Sequence, residues 1–266
     1  MRIYVYIDGF NLYYAIKNTP YKWLNIKKLA NEILPNKVEG VIHKVKYFTA
    51  RVSGSTDKGS PRRQQIYFKA LSTVPEIEIH TGHFLSKSVW RPLIGLPVAD
   101  DLVHLDDPII PVKGSYLVTD QDSANERMLE IVMDRSKLTR DEKKLFYRRK
   151  PPTPHAKALL AEVHSMEEKG SDVNLATHLL NDAWQELFDM ALVISNDTDL
   201  VTPIKIVVEQ RKLPVAVINP TMNRTPSAGL KRVASTVWHV RKEHYERSQF
   251  PDRMEGGLSK PSEWVN

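Results

Sequence analysis

Carboxylates follow apolar, β-prone runs at two distant places in the chain. Asp8 comes directly after the run 3–7, and Asp197 and Asp199 come shortly after the run 191–194. In an open α/β sheet the carboxyl ends of the strands share one edge, so these side chains can meet in a crevice there. Carboxylates held together repel each other, and a divalent cation such as Mg²⁺ or Mn²⁺ relieves the repulsion. The pattern therefore favours metal-dependent chemistry on a phosphate ester.

Three other residues lie near these acids in the predicted elements. Asn11 is placed to hold a ligand carboxylate or a phosphate oxygen, and Asp172 opens a predicted helix after Gly170. We add Asp172 to the acidic cluster. His178 lies six residues further along that helix, about 120° around its axis, so it does not share a face with Asp172. We expect His178 to be a satisfied or exposed histidine.

Helix capping is the structural alternative for each of these acids. A carboxylate at a helix start accepts hydrogen bonds from free backbone amides and interacts well with the helix dipole. One acid is enough to cap a helix, so capping does not explain both Asp197 and Asp199, which are only two residues apart. A matching acid at Asp8, at the end of another strand, strengthens the prediction of a shared site.

The elements that position these residues are strands and helices in alternation. Apolar periodicity predicts strands at 3–7, 41–52, 76–85, 191–195 and 214–218, and helices at 10–17, 26–34, 62–73, 172–187 and 199–210. Prolines break the alternation from about 87 to 157. We therefore predict a single α/β domain over 1–240 with an insertion at about 87–157. A tail follows at 241–266, which we expect to be loose after Pro251.

Composition narrows the class of protein. The chain has 266 residues, of which 41% are hydrophobic, so a proper core is expected. It has no cysteine, which excludes disulfides, thiolate metal sites and cysteine nucleophiles. Neither a signal peptide nor a membrane-spanning run is recognised, so we expect a cytoplasmic protein without a membrane partner. A net charge of +6 and a pI of about 9.3 favour polyanionic partners.

Basic residues are concentrated in two segments that are suited to phosphate contacts. The first segment follows the second strand and comprises Arg51, Lys58, Arg62 and Arg63. The second lies in the insertion, around two aromatic residues, and comprises Lys143, Lys144, Arg148, Arg149 and Lys150. Aromatic rings among basic residues are typical of single-strand binding. An ordinary solvated basic surface is the alternative for both segments.

Three segments, taken in order, resemble the NYN domains of the PIN-like nuclease superfamily. They are the motifs at 6–13, 168–176 and 195–200, and the resemblance extends over about 1–86 and 158–240. It implies a Rossmann-like three-layer α/β/α sandwich with a mainly parallel sheet. By motif position it implies an acidic site of Asp8, Asp172, Asp197 and Asp199 with Asn11 beside it. Many relatives carry another acid in place of His178 and a glycine in place of Asn196.

The function expected from these observations is a metal-dependent nuclease. Carboxylates would hold one or two Mg²⁺ or Mn²⁺ ions that activate water for cleavage of phosphodiester bonds, usually those of RNA, with single-stranded DNA as an alternative substrate. The departures at His178 and Asn196 favour a second hypothesis, an RNA-binding or partner-recruiting module with a weak or inactive site. A third, an aspartyl-phosphate phosphatase, is disfavoured because Phe10 and Leu12 stand where such enzymes have Asp and Thr. The oligomeric state stays open.

Overall fold

A computed structural model describes the backbone of residues 1–54, 57–92 and 160–264, and side chains at 1–54, 57–85 and 169–264. By its internal contacts the chain divides into two units. The first comprises 1–84 with 168–266, and the second comprises 85–167. The predicted insertion at about 87–157 falls within the second unit. The basic residues predicted there, from Lys143 to Lys150, lie outside the described residues.

The elements alternate along the described chain as follows. The strands are β1 (Arg2–Asp8), β2 (Val41–Ala50), β3 (Ile77–Pro92), β4 (Leu160–Lys169), β5 (Met190–Ile194), β6 (Val215–Asn219) and β7 (Thr236–His239). The helices are α1 (Gly9–Ile16), α2 (Ile26–Ile33), α3 (Ser60–Leu71), α4 (Ser171–Trp184), α5 (Val201–Gln210), α6 (Ala228–Val233) and α7 (Lys242–Arg247). Short 3₁₀ turns include Pro20–Lys22, Thr198–Leu200, Glu255–Gly257 and Ser262–Trp264.

The strands form one sheet in the order β4-β3-β2-β1-β5-β6-β7. Six of these strands, β3, β2, β1, β5, β6 and β7, pair with their neighbours in parallel. The central strands β5 and β6 are buried along their whole length, as expected where helices cover both faces of a parallel sheet. The predicted three-layer α/β fold class is confirmed.

Alternation along β1 separates the two hydrophobic layers. Ile3, Val5 and Ile7 belong to the core cluster that also contains side chains of α1, α2, α3 and α7. Tyr6 belongs to the opposite cluster, with side chains of α4, α5 and α6. Because successive side chains of a strand point to opposite faces, Asp8 continues the face of Tyr6, where α4 packs.

The start of α1 depends on a glycine. A Cβ at Gly9 would lie 2.6 Å from the carbonyl oxygen of Phe48 and 2.9 Å from Thr49 Cβ. Only a residue without a side chain permits this approach of α1 to β2. Gly9 therefore allows the chain to turn into a helix directly at the end of β1, with Asp8 at the edge of the sheet.

Two predicted boundaries and the predicted loose tail differ from the structure. β3 continues to Pro92 rather than ending at 85, and β4, at Leu160–Lys169, is absent from the predicted strands. The described tail packs on the domain. Trp264 lies 6.2 Å from Trp23 and 5.8 Å from Tyr67 between ring centroids. These contacts join rings that are far apart in sequence. Local apolar periodicity therefore does not predict them. Among the described residues, the structure has no helix of sufficient length and apolarity to cross a membrane.

Candidate metal centre

Three of the four predicted acids meet at the carboxyl edge of the sheet. Asp8, Asp172 and Asp197 each offer a ligand atom within 4.8 Å of the others. Asp8 ends β1, Asp197 follows β5, and Asp172 lies in the first turn of α4. Since β1 and β5 are adjacent and parallel, their carboxyl ends necessarily meet. The convergence predicted from the sequence is therefore present in the fold.

Asp199, the fourth predicted ligand, lies outside this group. It is exposed, and its backbone N–H donates to Asp197 Oδ1 at 2.9 Å. This contact fixes one carboxylate oxygen of Asp197 through a short turn after β5. The contribution of Asp199 to the site is thus a backbone amide that orients a neighbouring ligand.

Asp8 is the buried member of the group and is held by two hydrogen-bonding side chains. Asn11 donates from its backbone N–H to Asp8 Oδ1 at 2.9 Å and from Nδ2 to Oδ2 at 2.6 Å. The Ser195 hydroxyl donates to Asp8 Oδ2 at 2.9 Å. Asn11 therefore holds a carboxylate, which is one of its two predicted roles. Ser195 was not predicted as a site residue, although its place between a buried strand and Asp197 was visible in the sequence.

The electrostatics of Asp8 favour a positive partner. Burial raises the pKa of the Asp8 carboxyl, and the charge of Asp197 raises it further. The hydrogen bonds from Asn11 and Ser195 act in the opposite direction and lower that pKa. A bound cation would offset both the burial and the repulsion.

The donor set fits a hard divalent cation. Three carboxylates supply only oxygen, the ligand type that Mg²⁺, Mn²⁺ and Ca²⁺ prefer, whereas copper and mononuclear iron sites usually include imidazole. Oxygens on opposite sides of an octahedral Mg²⁺ lie about 4.2 Å apart. Small side-chain adjustments of the carboxylates would therefore be enough to hold such an ion.

A loop beside the acids is fixed by Asn196, which follows β5. Its backbone N–H donates to Asn11 Oδ1 at 3.2 Å, and its side-chain oxygen accepts from the Ser227 N–H at 2.7 Å. Asn196 thus links the ends of β1 and β5 to the start of α6. The contacts of Asn196 therefore position the acidic loop.

A second polar cluster lies on the same face of the sheet, under α4. Lys46 of β2 donates to Asp182 Oδ2 at 2.6 Å, and the Tyr6 hydroxyl donates to the same oxygen at 2.7 Å. Lys46 and Asp182 are 7% and 1% exposed. This ion pair is not among the predicted site residues, although a lysine between Val45 and Tyr47 in an apolar strand is a signal for a buried partner.

His178 completes this second cluster. Its Nδ1 lies 3.3 Å from Lys46 Nζ, and because an ammonium group only donates, Nδ1 must accept. Its ring lies 4.2 Å from that of His80 between centroids. Burial, together with Lys46, lowers the pKa of both histidines. These shifts favour the neutral form of both rings, and the contact of His178 with Lys46 agrees with the prediction that His178 is a satisfied or exposed histidine.

The basic residues predicted to contact nucleic acid divide into two groups. Arg51, Lys58 and Arg62 are exposed at or after the end of β2 and at the start of α3. Arg63 is instead engaged, since its guanidinium donates to Asp57 and to Glu263. Of the four predicted basic residues that the structure describes, the first three have exposed side chains.

Comparison with known proteins gives one relative with a named activity. The chain is 24% identical to 6-hydroxy-3-succinoylpyridine 3-monooxygenase of Pseudomonas putida over 287 aligned positions, covering 99% of this chain and 75% of that protein. A crystal structure of a Vibrio parahaemolyticus protein of unknown function covers 91% of this chain and 94% of its own, with a TM-score of 0.44 and 12% identity. No protein-family model matches the chain.

The monooxygenase relative corrects the expected enzyme class. We predicted a metal-dependent ribonuclease, a hydrolase acting on phosphodiester bonds, and this prediction is wrong by the comparison, since the named relative is an oxidoreductase. Acidic clusters at strand ends recur in proteins of different chemistry, so their spacing alone does not determine the reaction. The resemblance to NYN domains stays a prediction.

Proposed function

We propose that this protein is an oxidoreductase that hydroxylates a small aromatic compound and holds one Mg²⁺ or Mn²⁺ ion at Asp8, Asp172 and Asp197. The observation that carries the reaction class is the similarity to a monooxygenase over 99% of the chain. A match of that extent spans the sequence of both halves of the sheet. The metal is supported by the all-oxygen donor set described above.

The overall reaction requires two co-substrates. One atom of O₂ enters a carbon–hydrogen bond of the substrate to form a hydroxyl group, and the other atom leaves as water. The balance needs two electrons and two protons, which we assign to a reduced nicotinamide and one solvent proton. Because a nicotinamide does not reduce O₂ directly, a flavin would be needed to pass the two electrons from the nicotinamide to O₂. The carboxylate set favours a cation that does not change oxidation state, so the organic donor supplies the electrons.

The described residues contribute the ion site and its orientation. Asp8, Asp172 and Asp197 would hold the cation, which when bound supplies a Lewis acid for an oxygen atom of the ligand. Asn11 and Ser195 hold the Asp8 carboxylate in place, as partners of metal ligands commonly do. The Asp199 amide performs the same task for Asp197.

Metal titration and oxygen uptake test this proposal. The purified protein is titrated with Mn²⁺ by calorimetry, and O₂ consumption is followed with NADH and 6-hydroxy-3-succinoylpyridine. We expect Asp197→Asn to weaken Mn²⁺ binding by at least about tenfold, since even partners that only orient a ligand are worth 10–100-fold. Asp199→Asn is the matched control, because its carboxylate lies outside the group, and we expect affinity within a few-fold of wild type.

The outcomes separate the two parts of the proposal. Equal loss of Mn²⁺ binding in Asp197→Asn and Asp199→Asn would contradict the assigned ligands. Oxygen uptake that does not depend on the aromatic substrate, with any divalent cation present, would contradict the reaction class. Stoichiometric consumption of O₂ and NADH with a hydroxylated product would support it.

RNA binding without cleavage is a second candidate, favoured by Arg51, Lys58 and Arg62. These three side chains are exposed near the carboxyl edge of the sheet, in a protein of net charge +6. Replacing all three with alanine should weaken binding of single-stranded oligouridine and reduce the slope of log K against log salt by about 0.7 per lost contact. An unchanged slope would indicate that these residues form an ordinary solvated basic surface and do not contact RNA.

A further inference from the structure

A cavity lies between α1 and α3, beside the carboxyl ends of β1 and β2. It has a volume of about 770 Å³, with Tyr47 and Thr49 of β2 among its lining residues. Its lining also includes Gly9 and Phe10, which directly follow Asp8 in the chain. A volume of this size is typical of sites for small molecules.

Aromatic rings form much of the cavity wall. Phe10 and Phe84 meet edge to face with ring centroids 5.7 Å apart, and Tyr67 meets Trp264 at 5.8 Å. Rings arranged in this way offer both faces and edges to another planar ring. The wall is therefore suited to a planar aromatic ligand rather than to a flexible aliphatic chain.

Arg63 lines the cavity, and a ligand could replace one of its two carboxylate partners. The side chain of Arg63 is 16% exposed, and its two terminal nitrogens are on different carboxylates. Nη2 donates to Asp57, which lies six residues earlier on the same loop and helix start. Nη1 donates to Glu263 Oε1 at 3.3 Å, a long contact to a side chain that is 57% exposed.

Glu263 has the features of a carboxylate that can be displaced. It belongs to the short C-terminal 3₁₀ turn, next to Trp264 of the cavity wall. An ion pair whose carboxylate is exposed to this degree adds little to stability. A guanidinium group is planar and binds carboxylates through paired hydrogen bonds, so a ligand carboxylate in better geometry would compete well.

We propose that the cavity binds an aromatic carboxylate, with the ring among the aromatic side chains and the carboxylate on Arg63 in place of Glu263. This inference rests on the proposed function for its link to catalysis and names Arg63 as the residue that selects an acidic substrate. Asp57 stays on the other nitrogen and keeps the guanidinium aimed into the cavity.

Binding of benzoate, with benzamide as its uncharged match, tests the proposal by calorimetry on the full chain. We expect benzoate to bind more tightly than benzamide. Arg63→Gln should weaken the binding of benzoate about 10–100-fold, which is the contribution expected of a hydrogen bond to a charged group. Glu263→Gln should bind benzoate about two- to fivefold more tightly, because a competing carboxylate is removed. Arg247→Gln is the control, since Arg247 pairs with Glu32 at the surface, 3.8 Å away.

The Glu263 variant keeps the proposal falsifiable if Arg63→Gln fails to fold. Equal affinity for benzoate and benzamide, or no gain in Glu263→Gln, would overturn it. Failure of the reaction class is distinguishable, because benzoate binding needs no turnover. Conversely, substrate-dependent oxygen uptake with an unchanged KM in Arg63→Gln would leave the reaction intact and reject this binding site.

Discussion

Replacement of Lys46 by methionine should destabilise the protein far more than the same change at Lys44. Both lysines belong to β2 and each pairs with one carboxylate, but their surroundings differ. The side chains of Lys46 and Asp182 are 8% and 2% exposed, whereas those of Lys44 and Glu78 are 36% and 38% exposed. The pair of substitutions therefore isolates burial as the variable.

The expected magnitudes follow from distance and exposure. At 2.6 Å and an effective dielectric constant of about 20, the Lys46–Asp182 attraction is about 6 kcal/mol before desolvation is counted. Removing only the lysine leaves Asp182 buried with the Tyr6 hydroxyl, and breaking such a pair typically costs about 3–5 kcal/mol. The exposed Lys44 pair should contribute about 0–1 kcal/mol.

Urea unfolding followed by far-UV circular dichroism measures the free energy of unfolding of each variant. The double variant Lys46→Met/Asp182→Asn removes both charges and keeps an acceptor for Tyr6, so it should recover much of the loss. Equal destabilisation by Lys46→Met and Lys44→Met, or a double variant less stable than Lys46→Met, would refute the reasoning. Asp182 lies ten residues, about 15 Å, beyond Asp172 on α4. Mn²⁺ affinity should therefore stay within a few-fold of wild type in the folded variant.

Three further predictions concern the site and its supports. Ser195→Ala should lower Mn²⁺ affinity about 10–100-fold in a calorimetric titration, because it removes a hydrogen bond that orients Asp8. Gly9→Ala should lower the free energy of unfolding in urea by about 1–3 kcal/mol, because the new Cβ meets a carbonyl oxygen of β2 at 2.6 Å. Stability should fall as pH decreases below about 6.5, since the lowered pKa values of His80 and His178 mean that the unfolded chain takes up protons first. His178→Gln should flatten that dependence in unfolding curves measured between pH 5 and 8.

Specific results would contradict each of these predictions. Unchanged Mn²⁺ affinity in Ser195→Ala would mean that Asp8 needs no support from β5. A Gly9→Ala variant as stable as wild type would show that α1 can move away from β2 without cost. For the histidines, a pH dependence that is the same in wild type and His178→Gln would exclude the buried pair as its source.

The convergence of the acids was predictable because it depends on strand direction more than on packing detail. Apolar runs identify β1 and β5, and parallel pairing brings the residues after them to one edge. The hydrogen bonds of Asp8 with Ser195 and Asn11 could be identified only from the three-dimensional structure, because they depend on how β1 and β5 are aligned. The sequence placed Asp199 with the ligands, whereas the turn after β5 directs only its amide toward Asp197.

The sequence by itself determined the α/β class, the alternation of elements, and the meeting of Asp8, Asp172 and Asp197, since all of these follow from local periodicity and chain direction. Only the tertiary structure decided that Lys46 and Asp182 are paired beneath α4, that Trp264 packs against Trp23, and that Arg63 lies between two carboxylates in an aromatic cavity. These contacts join residues more than a hundred positions apart in most cases. Such contacts arise from side-chain shape and burial across the fold, which local sequence patterns do not encode.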